Sequence, residues 1–257
     1  MKNKEEKLKK MEKALFRRIF VAMTVMVPLL QSCFGKTEDP IDLGDIEANA
    51  IVTVRLSSMG FTYFQLDEST TLEPSGWETQ EDGEFRALLN YSVLDRKSRY
   101  CTKVVKVNGI DPITTKPASF IGTKYFEPNP VRTVEEVMER CDPVELVSSD
   151  GKLDWLTVCE DGYMTIHFAC LSSGEVEHSV DMYADKNRPD HLYFSHESKG
   201  DKSTSWTEGL VAFKIDHLYY TSDLYPSGDP GTVTLHWMSF DGEKTATFKY
   251  GQRAIGK

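Results

Sequence analysis

The chain is predicted to be mostly β: a small barrel followed by an antiparallel β-sandwich, with one short helix between them. Three observations carry this. Short apolar-rich runs recur at intervals of roughly 8–12 residues, the spacing of sandwich and barrel strands. Turn-forming pairs such as Asp161-Gly162 and Asp241-Gly242 separate them. Hydrophobic content of 40%, with 11% aromatic, supports packed cores in a chain of 257 residues and excludes a disordered one.

The first 32 residues have no place in that fold. Lys2, Lys4, Lys7, Lys9, Lys10, Lys13, Arg17 and Arg18 form a basic leader, and Ile19–Leu30 is an apolar run of 12 residues. That length suits the ~7–15 residues of a signal peptide and falls short of the ~20 a spanning helix needs. Leu30-Gln31-Ser32-Cys33 then reads as a lipobox. Cleavage is expected between Ser32 and Cys33, with acyl chains added to Cys33. More than two such chains give stable anchoring without a spanning helix. Residues 33–47 are acidic, contain Pro40 and Gly44, and read as a tether.

Residues 48–141 are assigned to the barrel with a linker and the helix. Ile51, Val52, Val54 and Leu56 make a first strand, and Phe61–Leu66 a second, joined through Ser57-Ser58-Met59-Gly60. The acidic stretch that follows, with Pro74, Gly76 and Gly83, reads as irregular. Phe85–Leu94 and Tyr100–Ile110 form a further pair, and the uneven apolar spacing of Cys101, Val104 and Val107 points to a bulge. Pro117, Pro128 and Pro130 mark the linker. Thr133, with Glu136 three residues on, caps a short helix that Asp142-Pro143 ends.

Residues 142–253 are assigned to the sandwich. Leu153–Glu160 and Tyr163–Cys170 form a hairpin, with Met164, Ile166, Phe168 and Cys170 on one face and Thr165 and His167 on the other. Val176, His178, Val180 and Met182 alternate with polar residues; Leu192–Glu197 and Leu210–Phe213 are further strands. Thr232–Phe240 and Glu243–Tyr250 close the domain through Asp241-Gly242, a pair favoured in type I′ turns.

Charge and motifs exclude more than they assign. The chain has 30 Lys+Arg and 40 Asp+Glu; from Cys33 onward 22 are basic and 37 acidic, net −15. Nucleic acid is therefore not an expected partner, and an anionic lipid surface would repel the domains, leaving attachment to the acyl chains on Cys33. No nucleophile elbow, phosphate-cradling loop or zinc-protease helix motif occurs. No catalytic or metal-binding residue and no cofactor is assigned. Cys101, Cys141, Cys159 and Cys170 are expected to be buried free thiols rather than two disulfides. His178 and His236 are expected to be partly buried structural histidines, and Glu160, Asp161, Asp150 and Asp154 solvated turn carboxylates rather than a calcium loop. Phe61, Tyr63, Phe64 and Trp77 could offer a sugar a stacking surface, although an aromatic core with one shielding tryptophan is the favoured reading.

A family resemblance rests on an ordered set of pieces. These are Phe64-Gln65-Leu66-Asp67 with Ser69-Thr70-Thr71-Leu72, Arg86-Ala87-Leu88-Leu89-Asn90-Tyr91, Thr115-Lys116-Pro117 and Asp142-Pro143-Val144-Glu145. Val158, Glu160-Asp161-Gly162-Tyr163, Gly209-Leu210-Val211-Ala212-Phe213 and Ser239-Phe240-Asp241-Gly242-Glu243-Lys244 continue it. Together they resemble the NigD-like lipoproteins of Bacteroidetes. The resemblance implies an N-terminal OB-like barrel, a C-terminal β-sandwich and an immunity or accessory role tied to a bacteriocin gene cluster, and it carries over no catalytic residue. The expectation is a non-catalytic lipoprotein of the bacterial outer membrane, on its periplasmic or surface face, that binds a protein or glycan. The alternative is a surface hydrolase acting through carboxylates.

Overall fold

In the computed structural model, which describes residues 47–79, 83–123, 131–220 and 222–251, the first strand already shows how the barrel is held. The leader, Ser32, Cys33 and the tether up to residue 46 lie outside the described residues. Strand β1 (Glu47–Leu56) is buried without a break from Ile51 to Arg55, which requires cover on both faces. Val52 and Val54 point into the barrel, while Ile51, Thr53 and Arg55 meet the sandwich.

With β2 (Thr62–Gln65), β3 (Thr71–Pro74), β4 (Phe85–Leu94) and β5 (Lys103–Pro112), β1 forms a closed barrel of order β1-β2-β3-β5-β4. Only β3 and β5 pair in parallel. This is the OB-like barrel, cored by Val52, Val54, Phe64, Leu72, Ala87, Leu89 and Val105. Strand β3 lies in the stretch that the sequence marks as irregular; fully buried Leu72 is its one core residue. Asn90 pairs with Gly109 and Tyr91 with Val107, so Asn108 is the extra residue of a bulge in β5.

The chain then supplies an edge strand to each sheet of the sandwich. Strand β6 (Thr114–Pro117) pairs in parallel with β15 (Trp206–Lys214), and β7 (Ser119–Phe120) with β13 (Ser179–Asp185). Helix α1 (Val134–Arg140) packs Val137 and Met138 against Tyr183 and Tyr193 of the same domain. The stretch read from sequence as barrel-side linker and helix therefore joins the sandwich. Strands of four and two residues are too short to show alternation, and Pro117 fits a sheet edge. Thr133 caps α1, its Oγ1 accepting from Glu136 N at 3.2 Å, while the Glu136 carboxylate accepts from Arg132 N at 2.7 Å.

The remaining strands are β8 (Glu145–Leu146), β9 (Ser148–Ser149), β10 (Lys152–Leu153), β11 (Val158–Glu160), β12 (Tyr163–Leu171), β14 (Arg188–Glu197), β16 (Thr232–Ser239) and β17 (Gly242–Lys249). One sheet runs β11-β12-β15-β6, with β8 also on β12; the other runs β17-β16-β14-β13-β7. Most pairings are antiparallel; β14 with β16 is parallel, as are the two edge additions. A second helix, α2 (Asp216–Tyr220), follows β15. Met164, Ile166, Phe168 and Cys170 face Met182, Leu192, Phe194 and Trp237 in one core, the side of β12 that its alternation predicts. The two Asp-Gly turns differ. Asp161 (φ 52°) and Gly162 (φ 80°) both take positive φ, as a type I′ turn requires. At Asp241-Gly242 only the glycine does (φ 108°), so that hairpin turns on Phe240-Asp241, with Gly242 beginning the return strand.

Candidate functional site

Charge is concentrated where the barrel meets the sandwich. Arg55 and Arg86 are 6% and 0% exposed, on the outer faces of β1 and β4. The left-handed Asp161 brings its carboxylate to Thr53 Oγ1 at 2.5 Å and Arg55 Nη2 at 2.8 Å. Thr53 Oγ1 donates to Asp161 and accepts from Arg86 Nη1 at 2.9 Å, and Arg86 Nη2 donates to Glu160 at 2.7 Å. Arg55 Nε donates to Glu84 at 2.9 Å; Glu84 also accepts from the Tyr163 hydroxyl and lies 3.6 Å from Lys214 Nζ. Glu160 and Asp161, read from sequence as solvated turn residues, are therefore bound to arginines. Both carboxylates are held as ion-pair partners of buried guanidiniums.

The aromatic residues picked out in the barrel divide by strand parity. Phe64 is fully buried and packs on Trp77 at 5.2 Å. Phe61 and Tyr63 turn the other way, and Phe61 stacks on Tyr100 at 5.1 Å and 26°. Arg99 lies 5.3 Å over the Tyr100 ring. Met59 at the tip of the β1–β2 turn, Leu56 at its base and Tyr100 are 63%, 61% and 53% exposed. Sequence reading put Met59 in a turn and made Tyr100 the first residue of a strand; the strand begins only at Lys103, so Tyr100 lies in the loop before it.

Five of the six histidines lie in three arrangements; the sixth, His217, has its Nε2 2.9 Å from the Ala118 carbonyl oxygen. His167 sits between two carboxylates, Nδ1 at 2.6 Å from Asp154 and Nε2 at 3.2 Å from Glu208. Burial alone would lower its pKa, but the two carboxylates outweigh it and raise it above the ordinary histidine value. His191 Nδ1 lies 2.8 Å from His236 Nε2, with His236 Nδ1 on Glu243 at 2.9 Å and Tyr193 stacked on the His236 ring at 4.6 Å. Burial and then Arg188 lower the pKa of His191. Third, His178 Nδ1 lies 3.0 Å from His196 Nε2 and 3.8 Å from Cys170 Sγ. His178 and His236 are 12% and 13% exposed, partly buried as expected. The Cys170–His178–His196 grouping was not legible, because Cys170 lies on a strand of one sheet while His178, just before β13, and His196, on β14, belong to the other.

All four described cysteines are free thiols. Burial raises the pKa of each, Cys159 to about 12, so none is a ready nucleophile. Among the described residues no helix is long and apolar enough to cross a membrane.

Comparison with known proteins gives a consistent result. Residues 131–250 match the family of the NigD-like C-terminal beta sandwich domain. No curated protein matches the sequence. A protein from Parabacteroides distasonis named as toxin-related has 22% identity and a TM-score of 0.58, over 80% of this chain and 93% of its own. A protein of unknown function from Bacteroides vulgatus has 16% identity and a TM-score of 0.58, over 79% and 90%. A protein from Bacteroides fragilis named as a lipoprotein has 14% identity and a TM-score of 0.54, over 80% and 99%. At these identities the likeness is one of fold.

Proposed function

Residues 131–250 belong to the NigD-like C-terminal β-sandwich family, and from that premise we propose that the chain is a lipid-anchored, non-catalytic envelope protein. It binds a protein or glycan partner through the exposed aromatic patch of its barrel. The observation that carries this reading is the Phe61–Tyr100 stack flanked by exposed Met59 and Leu56. Clustered exposed apolar groups on a folded domain mark an interaction surface, and aromatic anchors with a neighbouring arginine are what such surfaces are built from. The lipobox supports anchoring through Cys33, as does the name of the similar Bacteroides fragilis lipoprotein. Commitment of Glu160, Asp161 and Glu84 to the junction weighs against the carboxylate hydrolase. Immunity to an antibacterial protein is the narrower form of the same reading, in keeping with the family and with the toxin-related neighbour.

Two experiments test it. Radioactive fatty acid should label the chain in cells and fail to label Cys33→Ala; undiminished labelling removes the lipid anchor. Cross-linking on intact cells, together with a glycan array, should return a partner for the unmodified chain. Met59→Ser with Tyr100→Ser should lower capture at least about tenfold, the cost of losing even one modest hot-spot contact. Equal capture by that variant would remove the patch from the proposal.

A further inference from the structure

Cys170 stands near the end of β12 in one sheet, while His178 precedes β13 and His196 lies near the end of β14 in the other. Their donor atoms, Cys170 Sγ, His178 Nδ1 and His196 Nε2, all lie within 4.8 Å of one another. The outward nitrogen of each ring is already engaged. His178 Nε2 lies 3.2 Å from Asp201 Oδ2, and His196 Nδ1 lies 3.3 Å from the Asp142 carbonyl oxygen. Asp201 is itself held as an acceptor by Ser173 N (2.7 Å), Ser173 Oγ (2.8 Å) and Ser203 N (2.9 Å).

A carboxylate and a carbonyl can only accept, so both rings carry their proton on the outward nitrogen. Two bare lone pairs then face each other at 3.0 Å. That contact is repulsive unless a cation lies between them. A shared proton would satisfy two nitrogens but would give the adjacent thiol no role. The whole set is what a metal-binding histidine has around it: an inward donor, and an outward N–H fixed on a carboxylate or carbonyl.

We propose that Cys170, His178 and His196 bind one zinc ion, which clamps the two sheets at this end of the sandwich. Two imidazoles and a thiolate suit zinc and not the hard, oxygen-seeking calcium or magnesium. Zinc–nitrogen distances of ~2.0–2.1 Å and a zinc–sulfur distance of ~2.3 Å put donors roughly 3.3–3.7 Å apart in a tetrahedron, which small side-chain rotations here reach. On binding, the Cys170 S–H bond breaks, its proton leaves to solvent, and the thiolate becomes the third protein ligand; nothing is oxidised or reduced. The fourth position is left to water. Asp201 is a positioning residue: it orients His178 and, through Ser173 and Ser203, ties down the loops after β12 and β14.

The test uses the full chain purified in detergent, stripped with a chelator, and titrated with zinc chloride alone. One zinc per chain and a rise in melting temperature are expected. Cobalt should give a thiolate-to-metal absorption band that Cys170→Ser abolishes. Asp201→Asn, which leaves all three donors in place, should weaken zinc binding roughly 10–100-fold. His178→Ala and His196→Ala should weaken it further. X-ray absorption of the zinc-loaded unmodified chain, which depends on no variant folding, should report two imidazoles and one sulfur. Failure to take up zinc, a sulfur-free spectrum, or unchanged affinity in the His178→Ala/His196→Ala variant would overturn the site. Uptake of copper but not zinc would overturn the choice of metal.

Discussion

An imidazole can donate to two carboxylates at once only when both nitrogens carry protons, and that decides the titration of His167. Asp154 and Glu208 take one nitrogen each, and the side chain is 13% exposed. The folded-state pKa is raised, so the stabilising contribution is complete below the unfolded value of ~6.5 and is lost as pH rises through the raised one. Comparison with His167→Gln isolates this, because His191 and His196, whose pKa values are lowered by burial first of all, contribute with the opposite sign. The urea midpoint of the unmodified chain should exceed that of His167→Gln by more at about pH 5.5 than at about pH 8.5. An equal gap at both would mean that the imidazole stands neutral between its neighbours. The position of this histidine, on the opposite face of β12 from Cys170, follows from strand parity alone. Its carboxylate partners do not, since Glu208 reaches it only through the β12–β15 register.

Among the elements, legibility followed the length over which a pattern could repeat. Strand β12 has nine residues, and its alternating Met164, Ile166, Phe168 and Cys170 proved to be the core face. The capped helix α1 was equally legible, since Thr133 and Glu136 carry their signal locally. Strands β3, β6 and β7 were hidden, with four, four and two residues. They form only because a partner edge awaits them, and that partner is remote in sequence. The Asp-Gly pairs show the limit from the other side. Gly162 is held to its geometry twice, by φ 80° and by Asp216, whose Cβ would stand 2.9 Å from an added one. At Gly242 nothing lies within 4 Å, and its hairpin takes a different turn. The proposed metal cluster falls at the same limit: Cys170 and His196 lie on strands and His178 just before one, and their approach is a property of the sandwich and of no single strand.

At the scale of the whole molecule, the question is what makes a barrel and a sandwich act as one body. An apolar contact of Ile51 and Ile113 with Tyr163 and Ala212 supplies area, but apolar area is non-directional. Direction comes from the buried charges beside it, and two arginines set among the apolar residues of β1 and β4 were the sequence sign that went unread. Arg55 and Arg86 each reach across to the β11–β12 turn. Desolvating such groups is costly, so the network adds little stability over an apolar replacement. Its effect is to penalise every other docking angle, since a shifted barrel would leave a guanidinium buried and unpaired. Asp161→Asn tests this without disturbing the turn, because asparagine accepts positive φ. Arg55 would lose the Asp161 carboxylate while keeping Glu84, at an expected cost of about 3 kcal/mol in urea unfolding, the low end for breaking a buried pair. Hydrogen exchange should then quicken in β1, β4 and the β11–β12 hairpin, while β13 and β14, paired in the other sheet of the sandwich, change little. A loss below about 1 kcal/mol, or uniform quickening throughout, would mean that the apolar contact alone fixes the two domains. The network would then be a surface ion cluster that happened to be covered. The orientation matters to the proposed partner surface because the aromatic patch is carried by the barrel: a barrel fixed on the sandwich presents that patch in one defined direction relative to the sandwich.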